Sequence, residues 1–586
     1  MENTWPDFRK MVRRPYAKRV WVPVALSKLT KSGEYPHVSY RAEFEGAHSL
    51  VVPVDKRKLG EAYSWSDNHE HRPWASKGYY KPAEAYWRDD EGDLVGIRLA
   101  LRQTFPDRAN RWHLNQDFII ALGLAFEGGV WIRPAEGYDE VARLVLDENG
   151  DACGIEIKAE YLRDYLCARE SALRLSTFHD LDLIVRSDDA PEEFEEQPEE
   201  EFEGGRLEYR SMRLDASGNP AGSNVAVFRA SRNDVDPEDD VPEMGPETPT
   251  NVDTASWSFR RPDGDRLRLM GDFWRDEWRE PAQVSPRVRG DEVPSQVTFI
   301  VSADGQRMNA DELNDEDIGR WLWFKPDIIA SIAARRGAQF SWYSKDTGGV
   351  STPSDPSVHF GLNEIGLVTV YARDVARLPE WERRLWAGFN VTPDGKVSGE
   401  LLLSQVRAEP ATTQAPETFL PIVLARLNEA WFARFGCFIF RNHENFEEIV
   451  SKCHRFRALD RSGLYALAKD ISRITADIID VKAAQQIAKP PKGKSWGSLK
   501  SFENAIAAQA NSKLARTFTG PLFATYELRL SDAHLPKRDM ASAFQSLGIE
   551  EKDPTLLAGY KMIHMVVSSI DACSRVVAGR IDHLID

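Results

Sequence analysis

Apolar and polar residues alternate in two stretches near the start of the chain, Arg19-Val-Trp-Val-Pro-Val-Ala and His37-Val-Ser-Tyr-Arg-Ala-Glu-Phe. A period of two places the apolar side chains on one face of a pleated strand. Strands are therefore expected there, with a third at the short apolar run Ser49-Leu-Val-Val-Pro-Val-Asp. Residues 61–92 lose the alternation and fill with Trp, Tyr, His and charge, which reads as a surface loop with aromatic anchors. Within it, His69-Glu70-His71 offers two imidazoles on one side of an extended segment, but no third metal ligand accompanies them.

The order of elements becomes regular from residue 115. Helical spacing over 115–126 is followed by strands at 129–133 and 140–146, the hairpin turn Asp147-Glu-Asn149-Gly150-Asp, and a returning strand at 154–158. A helix is expected at 160–174 and a strand at 181–186. This helix, three strands, helix, strand order resembles the core of the PD-(D/E)xK nucleases. The resemblance implies that Glu156 and Lys158, with Asp147 or Asp139 upstream, hold magnesium and activate water. An outward-facing Glu/Lys pair on an amphipathic strand is the alternative.

Residues 188–203 carry ten acids in sixteen positions and no Lys or Arg, so the segment repels itself and is expected to be solvated. A second linker-like tract, 233–251, is rich in Pro, Asp and Glu. The two frame a small β-like insert at 206–229, read as a hairpin. Residues 255–405 return to an α/β pattern, with strands at 297–301, 321–324 and 368–371 and helices at 327–336 and 378–390. The last of these carries aromatic residues, Trp381, Trp386 and Phe389, at spacings read as facing one side. After the Pro- and Thr-containing stretch 409–416 the pattern turns helical, with segments at 420–435, 444–456, 460–488, 499–516, 521–530, 539–547 and 555–584.

Length and composition agree with a folded, multidomain chain. At 586 residues it exceeds what one core supports, and 42% hydrophobic residues with 17 Trp exclude a disordered protein. The start, Met-Glu-Asn-Thr-Trp-Pro-Asp, lacks a basic and then apolar leader, and no apolar run reaches the roughly 18 residues of a membrane span. A cytoplasmic location without membrane contact is expected. Five scattered cysteines, none in a CxxC pair, argue against a zinc site or a disulfide framework.

Charge changes the picture toward the C-terminus. Net charge is −17, yet residues 421–586 hold 23 Lys+Arg against 18 Asp+Glu, a balance of +5 that leaves −22 for residues 1–420. A basic end on an acidic body points to a polyanion site confined to that end, although a bundle with lysines on its wet face has the same balance. Inside it, Lys489-Pro-Pro-Lys-Gly-Lys-Ser-Trp496-Gly-Ser-Leu-Lys500 sets lysines around one Trp in a Pro/Gly loop. Lys492, Lys494 and Lys500 are candidates for phosphate contacts and Trp496 for stacking on a base.

Arg529 and His534 then stand with four residues between them, in Leu528-Arg-Leu-Ser-Asp-Ala-His-Leu-Pro536. Arginine offers a planar donor fork to phosphate oxygens, and histidine moves a proton near neutral pH. Spacing alone does not select the pair, since Arg41/His48, Arg108/His113 and Arg174/His179 have similar gaps. Set among helices, however, the stretch resembles the catalytic signature of the HEPN superfamily of ribonucleases, found in abortive-infection, toxin–antitoxin and CRISPR-linked systems. The resemblance covers at most the last 165 residues and implies catalysis by Arg529 and His534 across a dimer. Leu530 stands where that family has Asn, Asp or His, and Ser531 and Asp532 are candidates to replace it by hydrogen bonding.

The expected architecture is α+β and multidomain: a mixed α/β N-terminal body followed by an all-α, HEPN-like helical bundle. Boundaries are expected as 1–187 (α/β), 188–254 (acidic and Pro-rich linker with the β insert), 255–410 (second α/β domain) and 418–586 (helical domain). The function expected is anti-phage defence: a sensor body answering a phage-derived trigger, and an endoribonuclease that needs no metal or cofactor. RNA is the substrate, and a homodimer or higher oligomer forms through the helical domain. The alternatives are a partner-recognition protein that only dimerises through its helices, and a magnesium-dependent nuclease at Glu156/Lys158.

Overall fold

The structure, a computed structural model, describes residues 8–13, 15–67, 74–76, 79–87, 94–106, 109–189, 199–215, 218–221, 224–232, 252–260, 265–315, 319–352, 357–531 and 540–580. The chain divides into two compact units, Met1–Val293 and Pro294–Asp586. It carries both helices and sheets, with a large antiparallel sheet in the first unit and helices gathered toward the C-terminal end. Among the described residues no helix is long and apolar enough to cross a membrane.

The first unit is built on a 12-stranded sheet. Its main path runs Glu199–Phe202, Gly205–Leu214, Arg266–Arg279, Ser171–Arg186, Arg41–Pro53, Trp21–Ser32, Ala152–Lys158, Asp139–Leu146, Val130–Arg133, Ala125–Glu127, each strand antiparallel to the next. The strands Leu94–Ile97 and Ala85–Trp87 branch from Arg41–Pro53. On the meander half, the helices Gln116–Leu122 and Ala159–Ala168 cover one face, burying Ile155, Ile157, Val141, Phe118, Leu162 and Tyr165 together. Each such side chain contributes roughly 1.5–3 kcal/mol on leaving water. Asn115 caps the first helix by accepting from the Asp117 N–H at 2.9 Å, and Gly123 closes it in the left-handed region at φ 62°.

Several elements differ from the pattern read in the sequence. The two expected strands at 37–44 and 49–55 form one strand, Arg41–Pro53, because Ser171–Arg186 pairs along its whole length while Trp21–Ser32 pairs along 41–48. The helix expected to reach 174 stops at Ala168, where Arg169 turns back onto Asp117 and Glu170 takes φ 48°. The strand Ser171–Arg186 follows, much longer than the expected 181–186 and buried on both faces at the centre of the sheet, which erases the period of two. Arg174 is therefore a strand residue, not a helix end. The acidic run ends in an edge strand, Glu199–Phe202, whose three glutamates stay exposed; charged side chains on an edge discourage pairing with another chain.

The insert at 206–229 is not a self-contained hairpin. Gly205–Leu214 joins the main sheet against Arg266–Arg279, while Asn224–Arg232 pairs with Val252–Arg260. Residues expected to open a second domain at 255 thus complete the first sheet, and the break falls at Val293/Pro294. Residues 68–73, which hold His69 and His71, and the tract 233–251 lie outside the described residues.

In the second unit a six-stranded antiparallel sheet, ordered Gln339–Trp342, Thr347–Ser351, Val358–Leu362, Val368–Tyr371, Trp321–Phe324, Asn390–Val391, precedes the helices Pro416–Phe435, Phe446–Lys452, Arg461–Arg473, Val481–Ile487, Ser498–Ala507, Ser512–Ser531, Met540–Ser546 and Thr555–Val577. Leu427, Trp431, Leu467, Ile471, Phe502, Leu528, Met562 and Val566 fill the helical core. No break in packing marks 410–418. Phe456 and Leu556, from the helical part, are buried in the core beneath the six-stranded sheet. Arg455 is sealed there too, bonded to Glu417 at 2.7 and 2.9 Å and flanked by the rings of Trp342 and Tyr560.

Candidate functional site

Arg529 stands at the last turn of the helix Ser512–Ser531. Ala515, Thr519, Leu522, Thr525 and Leu528 form its buried stripe at helical spacing, so Leu528 anchors the turn and Arg529 emerges at the edge of the core. A guanidinium at a helix C-terminus also complements the helix dipole. Its Nη1 donates to Asp477 Oδ2 at 2.5 Å, with side chains 26% and 36% exposed, so the pair is open to solvent on one side. The Tyr526 ring lies 5.3 Å from the guanidinium carbon.

Asp477 comes from a connection that the sequence pattern hides within one helix at 460–488. The structure breaks that segment at 474–480, because Asp480 caps a new helix by accepting from the Lys482 and Ala483 N–H groups. A bridge between Phe440 and Ile479 and the bond from Arg441 N–H to the Ile478 carbonyl pin the connection. Arg441 Nη2 also donates to the Asp477 carbonyl at 2.5 Å. One residue is thus gripped by two arginines, its carbonyl by Arg441 and its carboxylate by Arg529. Leu530, where the resembled family has an orienting polar residue, is 45% exposed. Ser531 ends the helix, and His534 and Asp532 lie outside the described residues.

The lysine loop links Val481–Ile487 to Ser498–Ala507. Lys492, Lys494 and Lys500 are exposed and Trp496 is half-buried, with Gly493 at φ 82° forming the turn. Lys500 is paired with Glu503 at 2.5 Å.

In the first unit, Glu156 and Lys158 share the face of their strand opposite the buried Ile155 and Ile157. Glu156 accepts from Arg143, directly across the ladder, at 2.9 Å. Lys158 donates to both oxygens of Asp139 at 2.8 Å, and Tyr161 joins the same carboxylate to Glu136. Asp147 sits in the hairpin turn, accepting from the Asn149 and Asp151 N–H groups. Asp139 stands four residues along its strand from Arg143, roughly 13 Å from the position facing Glu156, and Asp147 lies beyond the other end of that strand. Among the described residues no three His, Cys, Asp or Glu side chains are grouped to hold a metal. Comparison with known proteins finds no matching family model, no matching curated protein and no matching solved structure.

The residue missed in the sequence is Asp477. It stands 52 positions before Arg529, and its only local signal is the Asp-Ile-Ile-Asp run 477–480, where the second Asp invites a helix cap.

Proposed function

We propose that the helical part of the second unit is a metal-independent endoribonuclease, with Arg529 and His534 acting on one phosphodiester. The observation that carries it is Arg529 itself: a helix-end guanidinium, open to solvent on one side and aligned by the Asp477 carboxylate. The fork binds the non-bridging phosphate oxygens and holds the charge that grows on them in the transition state. His534 takes the 2′-hydroxyl proton, the 2′-oxygen bonds to phosphorus, and the bond to the 5′-oxygen breaks as an imidazolium returns a proton to it. Asp477 takes the orienting role that Leu530 does not fill, and Asp532 is a further candidate for it. Lys492, Lys494 and Trp496 hold the strand, with Lys500 partly neutralised by Glu503.

The resemblance of 528–536 to the HEPN signature supports placing this chemistry in abortive infection, with two copies meeting through the helices and the N-terminal unit sensing a phage-derived trigger. The test is the chemistry of the ends. Cleavage in EDTA leaving 2′,3′-cyclic phosphates is expected. Products with 3′-hydroxyl ends, or cleavage that EDTA abolishes, would instead favour a metal-dependent nuclease.

A further inference from the structure

A groove of about 590 Å³ lies on the sheet of the first unit, within the size range of small-ligand sites. Its floor is Arg174 and Asp276, 3.6 Å apart on neighbouring strands, and its walls include Trp65, Trp274 and Arg206. Trp65 is held flat on the sheet. It stacks on His48 at 5.1 Å and on Phe178 at 5.2 Å, and Trp274 packs on the other side of Phe178 at 5.3 Å. Gly46 makes room for it, since a Cβ there would stand 2.2 Å from the indole edge.

The wall is braced from behind. Arg174 donates to the carbonyls of Glu61 and Tyr63, and Asp67, bonded by Ser64 N–H and the Tyr86 hydroxyl, closes the turn that carries Trp65. The Arg206 guanidinium covers the Trp274 ring at 4.4 Å. Planar faces therefore line the sides, and a donor beside an acceptor lines the floor. Burial lifts the Asp276 carboxyl above the ordinary aspartate range, so a donor edge laid against it replaces hydration the site has lost. Glu201 lines the rim, and Arg206 and Arg275 also line the groove.

We propose that this groove binds a nucleobase, with its ring between Trp65 and the Arg206 guanidinium that covers Trp274, and its polar edge on Arg174 and Asp276. Aromatic stacking accepts any base face, and the donor–acceptor floor reads the edge. The base comes either from a free nucleoside or from an unpaired position in single-stranded nucleic acid. The site is independent of RNA cleavage at Arg529.

The experiment is calorimetric titration of the full chain with each of the four nucleosides, their 5′-triphosphates and a short single-stranded RNA. At least one nucleoside is expected to bind with Kd near or below about 1 mM. Oligonucleotide binding that is tighter than the nucleoside's and is lost in Ser66→Trp identifies a strand as the source, and equal or weaker binding at the groove identifies the free nucleoside. Trp65→Ala is expected to weaken binding about 10-fold or more. Ser66→Trp, which fills the groove from an exposed position without touching the core, is expected to block it while circular dichroism stays unchanged. Absence of binding by all four nucleosides at about 5 mM would overturn the proposal. So would binding that survives Ser66→Trp.

Discussion

Arg529 and Asp477 meet at 2.5 Å across 52 residues of chain, the arginine from a helix end and the aspartate from a pinned connection between two other helices. The carboxylate therefore fixes the guanidinium from outside its own helix. A partner on the same helix would tie its direction to that helix's last turn, where ends fray. Here the direction is set by the bridge between Phe440 and Ile479.

Asp477→Ala tests that arrangement. The ion pair is partly exposed, so its loss is expected to cost about 1 kcal/mol of stability or less. Cleavage of RNA, in contrast, is expected to fall about 10- to 100-fold, because misplacing the arginine weakens transition-state contact more than folding. Asp477→Asn, which keeps a hydrogen-bond acceptor, is expected to fall between wild type and alanine. Unchanged turnover in Asp477→Ala would show that the pair serves only the fold.

Fragment boundaries give a second prediction. Residues 294–586 are expected to express as a soluble, cooperatively unfolding protein. Residues 418–586 are expected to aggregate or melt well below it, because they lack Glu417 and the sheet on which Phe456 stacks at 5.5 Å from Trp342. Arg455 and Glu417 side chains are 3% and 4% exposed, and breaking such a pair costs about 3–5 kcal/mol. Glu417→Ala in the longer fragment is expected to show that loss in chemical denaturation. Equal stability of the two fragments would place a true boundary near 418.

A third prediction concerns pH. Asp180 and Asp272 face each other directly across neighbouring strands. Burial, and then Asp272, push the Asp180 carboxyl up to about 6. A carboxyl raised on folding adds stability below its unfolded value of about 3.9 and loses it as pH rises through the folded value. Asp180→Asn is thus expected to raise the melting temperature by about 2 °C at pH 8 and by progressively less toward pH 4. A shift independent of pH would mean that the Asp180 carboxyl is not raised on folding.

Much of the fold was legible where one face of an element is wet. The meander 130–158, the strands Trp321–Phe324 and Val368–Tyr371, and most C-terminal helices follow from periodicity and turn residues. Ser171–Arg186 did not, because a central strand buried on both faces has no alternation to read. Nor did the long-range joins: nothing local tells that Gly205–Leu214 pairs with Arg266–Arg279 across a tract rich in acid and proline. Of the candidate site, Arg529 was found through its spacing to His534 and its helical setting. Asp477 was hidden because a capped break between two apolar runs looks like one helix when only the 3.6-residue period is followed.

The most direct test of the ribonuclease proposal is single-turnover cleavage of an end-labelled RNA in EDTA, comparing wild type with His534→Ala, Arg529→Ala, Arg529→Lys and the double alanine variant. Each alanine variant is expected to lose cleavage about 10³-fold or more, with the double variant no worse than the singles because both groups serve one transition state. Arg529→Lys is expected to be nearly as impaired, since a point charge does not replace the planar fork. His179→Ala, from one of the coincidental pairs, is the control and keeps full activity. Wild-type cleavage rates in both His534→Ala and Arg529→Ala would contradict the account and leave the helical part as a module for association alone.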